Sequence, residues 1–160
     1  MTELELRNNS KHIFRHFTKL VFVILFMLTS QAQAKEWTIK MLNYAGNESM
    51  VFEPAVIQAE VGDTVVFIPE HSGHYAQSFI TPASTKRWQT QMDKRTTVKL
   101  ATEGIHIYYC PPHLMMGMVG MIQVGRATNL DKVEKKLPSL KAKSHLKPQR
   151  VDYLLENIRK

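Results

Sequence analysis

The stretch Cys110-Pro-Pro-His-Leu-Met-Met-Gly-Met118 carries the only cysteine of a 160-residue chain. Two residues separate the thiol from the imidazole of His113, and four more separate that imidazole from the thioether of Met118. A soft thiolate, a borderline imidazole and a soft thioether form a ligand set that suits copper. Two histidines and one cysteine in a trigonal plane, with a weak axial methionine, make a blue-copper electron-transfer centre. Such a site needs a second histidine from elsewhere. The best candidate is His74, in Pro69-Glu-His-Ser-Gly-His-Tyr75. Its competitors are His71, in a loop expected to be exposed, and His106. The latter shares strand parity with Cys110 and so points inward; a buried neutral imidazole with one hydrogen bond is the simpler role for it. His145 falls in a basic, solvated linker. For the axial place Met118 competes with Met115 and Met116. Gly117 frees the backbone beside Met118, which also opens a strand that fixes its direction.

Around this loop the sequence reads as short strands. Ile105–Cys110 leads into it and Met118–Val124 leaves it. Upstream, Trp37–Asn43 alternates, Tyr44–Ser49 holds a Gly-Asn turn, and Pro54 splits Val51–Pro54 from Val56–Glu60. Thr64–Ile68 is β-branched and stops at Pro69. Ser78–Thr81 and Thr96–Ala101 are further extended runs, and residues 83–95 are irregular with Trp88 as an anchor. About seven short strands with regular turns predict an all-β sandwich. After Gly125 the pattern changes. Asn129–Lys136 opens on a capping residue, and Val151, Leu154, Leu155 and Ile158 fall at i, i+3, i+4 and i+7. Pro138 and Pro148 bracket a basic linker. Two short C-terminal α-helices folded back on the sandwich are predicted, their apolar stripes serving as core.

Residues 1–34 read as an export signal. Arg7, Lys11, Arg15 and Lys19 precede an unbroken apolar run, Leu20–Leu28, and Ala32-Gln33-Ala34 is a small-x-small cleavage site. A run of that length covers roughly 14 Å as helix, about half a bilayer core. Cleavage before Lys35 and no membrane association afterwards are therefore expected. Residues 35–160 then form one domain, with strands over about 35–125 and a helical tail over about 126–160. That domain has 17 Lys and Arg against 12 Asp and Glu, a formal +5. The charge suits an acidic protein partner, and no Arg-rich stretch interleaved with aromatics points to nucleic acid. A single cysteine in an exported chain is a reactive thiol, an intermolecular bridge or a ligand; only a ligand also accounts for its neighbours.

Asn43, Val51-Phe-Glu-Pro54, Val61-Gly-Asp-Thr-Val-Val-Phe-Ile-Pro69, Gly73-His74 and the Cys110–Met118 loop resemble the pseudoazurin family, small type 1 copper proteins of the cupredoxin superfamily. The resemblance runs from about Lys35 to the end and includes the two C-terminal helices. It implies a cupredoxin-like Greek-key sandwich with one copper per monomer held by His74, Cys110, His113 and Met118. It also implies a monomeric periplasmic electron shuttle feeding transient redox partners such as a copper nitrite reductase. His113 becomes the electron port, ringed by Pro112, Leu114, Met115 and Met116, with Lys40, Lys86 and Lys94 as candidate steering charges. Three positions depart from the family pattern. Tyr75 stands where an asparagine commonly ties the two ligand loops together, Pro111 replaces a threonine and offers no N–H, and Leu114 replaces an aromatic.

Two other functions compete. A periplasmic copper carrier or store could use Met115, Met116, Met118 and Met121 as a soft cluster for Cu(I). An enzyme could use a Cys–His nucleophile or a catalytic zinc. Neither enzyme chemistry accounts for the Met-Gly-Met ending, and the chain is read as a non-enzyme. A c-type haem is excluded by the lack of Cys-x-x-Cys-His.

Overall fold

Alternation along the strands builds two faces, and the computed structural model, which describes residues 33–160, shows what each face meets. The export-signal reading of residues 1–34 lies almost wholly outside the described residues. Eight strands form: β1 (Glu36–Ala45), β2 (Glu48–Glu53), β3 (Val56–Ala59), β4 (Thr64–Pro69), β5 (Gln77–Ile80), β6 (Thr96–Lys99), β7 (Gly104–Tyr109) and β8 (Val119–Val124). They make two four-stranded sheets, ordered β2-β1-β4-β6 and β3-β8-β7-β5. The β1–β4 and β3–β8 pairs are parallel and the other pairings are antiparallel. The predicted sandwich and its helical tail are thus both present.

Between the sheets lies a core that includes Ile39, Met41, Phe52, Phe67, Tyr108 and Ile122. Phe52, Phe67 and Tyr108 meet edge to face, with centroids 4.8–6.3 Å apart, an arrangement that suits the ring quadrupole. Gly120 makes room for this packing: a Cβ there would fall 2.4 Å from the Tyr108 ring. The outer face of the second sheet is also apolar, through Ile105, Ile107, Val119 and Met121. It is covered by α1 (Leu130–Lys141) and α2 (Gln149–Glu156). Val133, Leu137 and Leu140 of α1 and Val151 and Leu154 of α2 supply the buried stripe. Strands β7 and β8 are therefore buried on both faces, which is why they are apolar almost throughout. Among the described residues no helix is long and apolar enough to cross a membrane.

Two details of the tail differ from expectation. The first helix runs through Pro138 instead of ending before it. A proline inside a helix costs about 3 kcal/mol, and burial of Leu137 and Leu140 on either side offsets it, at roughly 2 kcal/mol for each buried side chain. Asn129 makes no side-chain cap. Its amide instead accepts from the Ile105 N–H at 2.7 Å and donates to the Ile105 carbonyl at 2.9 Å. An amide side chain offers both roles at once, so it pairs with strand β7 as another strand would.

Candidate metal centre

Three loops and one strand converge at one end of the sandwich. The loop after β7 begins with Cys110, then folds as a 3₁₀ turn, Pro111–Met116. Prolines at the first turn forgo only N–H groups that a helix start leaves unpaired. The turn ends at Gly117 in the left-handed region, φ +77°, where glycine has no Cβ penalty. The loop then closes on itself: His113 N–H donates to the Cys110 carbonyl at 3.0 Å, Met118 N–H to the His113 carbonyl at 3.2 Å, and Cys110 N–H to the Met118 carbonyl at 3.0 Å. Cys110 and Met118 are thus paired across the mouth of the loop, and both are fully buried.

His74 comes from the loop between β4 and β5 and is fully buried. Asp93 holds its backbone, accepting from the Gly73 N–H at 2.7 Å and the His74 N–H at 3.1 Å. The Asp93 N–H returns a bond to the His74 carbonyl at 3.0 Å. Asp93 itself sits at φ +58°, a conformation that aspartate tolerates better than most residues. Asn43, near the end of β1, places its Oδ1 2.8 Å from His74 Nε2. An amide oxygen only accepts, so Nε2 carries the proton and Nδ1 keeps its lone pair.

That free Nδ1 lies 3.8 Å from Cys110 Sγ, and His113 Nδ1 lies 3.4 Å from the same sulfur. The two imidazole rings are 4.7 Å apart between centroids. One ligand atom from each of His74, Cys110 and His113 falls within 4.8 Å of the others. Two neutral nitrogen donors and one sulfur donor at this spacing fit a copper ion. Both imidazoles are shifted toward the neutral form. Burial pushes the His74 pKa down, and the neighbouring His113 and His71 add to this against Asp93; burial likewise lowers His113. Burial raises the Cys110 thiol, while the Tyr75 and His113 backbone N–H groups act in the opposite direction. A bound cation would deprotonate the thiol outright.

The competitors fall away. His71 is exposed, and its Nδ1 accepts from the Asn43 N–H at 3.2 Å. His106 is 2% exposed, with Nδ1 accepting from Trp88 Nε1 at 3.3 Å, and burial lowers its pKa to about 4. That is the neutral, singly bonded imidazole expected of it. His145 is exposed. Asp93 was missed by the sequence reading. Its only sequence signal is an acidic residue in the irregular segment 83–95, too common to single out. The Tyr75 backbone N–H reaches the Cys110 sulfur and so links the two ligand loops, whereas Asp93 tethers the His74 loop alone.

The comparisons with known proteins agree with this geometry. Residues 39–125 match the family model of copper binding proteins, the plastocyanin/azurin family. A pseudoazurin of Paracoccus pantotrophus is 33% identical over 122 residues, 74% of this chain and 84% of that protein. The chain belongs to the pseudoazurins. Among solved structures, the pseudoazurin of Methylobacterium extorquens superposes with a TM-score of 0.67 at 30% identity, covering 78% of this chain and 99% of that one. That of Hyphomicrobium denitrificans gives 0.69 at 28% identity, with the same coverage. Membership makes the chain a blue copper electron carrier rather than an enzyme, with one copper as its cofactor. The resemblance drawn from the motifs is therefore correct as to family, fold and cofactor.

Proposed function

We propose that His74, Cys110, His113 and Met118 hold the copper, and that the protein shuttles single electrons in the periplasm to an acidic redox partner such as a copper nitrite reductase. The observation that supports the site most directly is the meeting of His74 Nδ1, His113 Nδ1 and Cys110 Sγ, with Asn43 fixing the His74 tautomer. Copper bound there supplies a Cu(I)/Cu(II) couple. The chain's own residues do the rest. Buried Cys110, His74 and Met118 exclude water, and the self-bonded loop with its two prolines limits reorganisation. Half-buried His113 reaches toward the surface beside exposed Pro112 and Met115. This apolar face would dock a partner briefly, and surface lysines would steer its approach. Lys40, Lys86 and Lys94 are all exposed, though Lys40 also pairs with Glu70 at 3.5 Å.

Export is supported by the signal pattern, and one contact is compatible with cleavage before Lys35. The Lys35 N–H donates to Asp63 Oδ1 at 2.8 Å, and Asp63 is 5% exposed. Cleavage before Lys35 would turn that amide into an ammonium beside a buried carboxylate. N-terminal sequencing of the protein recovered from periplasm checks this; a start elsewhere, or retention in the cytoplasm, contradicts it. Electron transfer to a copper nitrite reductase should slow steeply as salt is raised; a rate indifferent to salt would remove the steering lysines from the account. Met118→Leu should keep the copper–thiolate colour and shift the potential, because the axial bond is weak. Loss of all copper binding in that variant would contradict the weak-axial role.

A further inference from the structure

The C-terminal tail grips the metal loop directly. Three successive carbonyls of that loop face it. The Met115 carbonyl accepts from the Leu146 N–H at 3.0 Å. The Met116 and Gly117 carbonyls share one N–H of Arg150 Nη1, at 3.4 and 3.2 Å. The same guanidinium reaches the β1–β2 hairpin: Nη1 donates to the Met50 carbonyl at 2.8 Å and Nη2 to the Ser49 carbonyl at 2.9 Å. Its Nη2 also pairs with the Glu48 carboxylate, which takes the Lys147 ammonium as well. The Arg150 side chain is only 17% exposed. A planar fork with five donors can hold two backbone segments at a fixed separation, which a point-like ammonium cannot. The tail also lies against the loop sterically. A Cβ at Gly117 would fall 2.9 Å from the Lys147 carbonyl oxygen and 3.0 Å from its Cβ.

We infer that Arg150 is a positioning residue of the metal site: it ties the Met116–Gly117 backbone to the β1–β2 hairpin, fixes where Met118 stands, and so tunes the copper potential from outside the ligand set. This rests on Met118 being a ligand, as proposed above. The axial bond of such a site is weak and its length adjustable. Groups that orient a ligand tune the metal through it. A residue bonded to the two carbonyls just before Met118 is placed to do both.

The test compares Arg150→Lys, Arg150→Met and Lys147→Met in the full chain. Arg150→Lys keeps a charge for Glu48 but cannot span hairpin and loop. Lys147→Met removes a Glu48 partner and leaves every Arg150 contact in place. In metal-free protein the Gly117 and Met118 amides of Arg150→Lys should exchange about fivefold faster or more, the loss of one ordinary hydrogen bond. After copper loading its reduction potential and visible spectrum should move, and those of Lys147→Met should not. Arg150→Met should show the larger shift if it folds. Wild-type exchange and an unmoved potential in Arg150→Lys would overturn the assignment. So would a drop in melting temperature in Arg150→Met with spectrum and potential unchanged, which marks a merely structural role. A wild-type protein lacking copper–thiolate absorption would defeat the ligand assignment itself, a failure distinct from either.

Discussion

The two ligand-bearing loops are held by opposite means. The His74 loop is tethered by side chains from outside it, Asp93 on its backbone and Asn43 on its imidazole. The Cys110–Met118 loop is held by its own backbone, by its prolines and by the tail that closes over it. The first arrangement fixes a tautomer and a direction with few contacts. The second fixes a length of chain carrying three of the four proposed ligands. The donor set is thus assembled by two separate devices that meet at the Tyr75 N–H beside Cys110, and substitutions can loosen either one.

Gly117→Val strikes the second device hardest. It combines a left-handed φ with a Cβ that would press on Lys147, and the expected loss is about 3–4 kcal/mol of stability. Denaturant unfolding of metal-free protein measures it; a loss under about 1 kcal/mol would mean that the tail is not seated on the loop. A separate acid sensitivity comes from His106, buried in β7 against Trp88. Its folded pKa of about 4 lies below the usual histidine value, so the fold favours the neutral form. That stability is whole above pH 6.5 and is lost as pH falls from 6.5 toward 4, a span worth about 3 kcal/mol. His106→Phe should flatten this part of the stability–pH curve, and a wild-type slope in the variant would assign the acid sensitivity elsewhere.

Asp93→Ala acts on the first device alone. Loss of two backbone bonds to a carboxylate should lower stability by about 2 kcal/mol. It should speed exchange of the Gly73 and His74 amides and leave those of Gly117 and Met118 as they were. Equal acceleration in both loops would show that the devices are coupled. The smallest effect belongs to Glu48→Gln. Lys147 and Arg150 hold the Glu48 carboxylate down to about 2, so its contribution is present above the ordinary glutamate value and fades as pH falls from 4.5 toward 2. Glu48 is solvent-exposed, and such pairs are worth little. The variant should differ from wild type only slightly, and only above that window; a difference that persists at pH 2 would trace to something other than this charge.

How much of this was legible follows from what the residues do. The strands showed through because alternation and proline stops are local, and the soft donors at Cys110, His113 and Met118 were close in sequence. His74 stands out in the sequence because its competitors read otherwise, His71 as an exposed loop residue and His106 as a buried strand imidazole. The parallel β1–β4 and β3–β8 pairings left no local mark. At Pro138 local propensity ends helix α1, and the tertiary burial of Leu137 and Leu140 prevails over it. Asn129 was read as a cap because the same residue type serves caps and strand mimicry. Asp93 and Arg150 were invisible for a common reason: each acts through backbone carbonyls or amides of a distant segment, and backbone partners carry no sequence signature.

Cys110 and two histidines are proposed to form one thiolate–copper site. Its most direct test is the visible and paramagnetic-resonance spectrum of the protein after Cu(II) is added, with Cys110→Ser beside it. Intense blue or green absorption with narrow hyperfine splitting, abolished in Cys110→Ser, is the predicted result. A colourless wild-type protein, ordinary tetragonal copper signals, or a blue Cys110→Ser variant would contradict it.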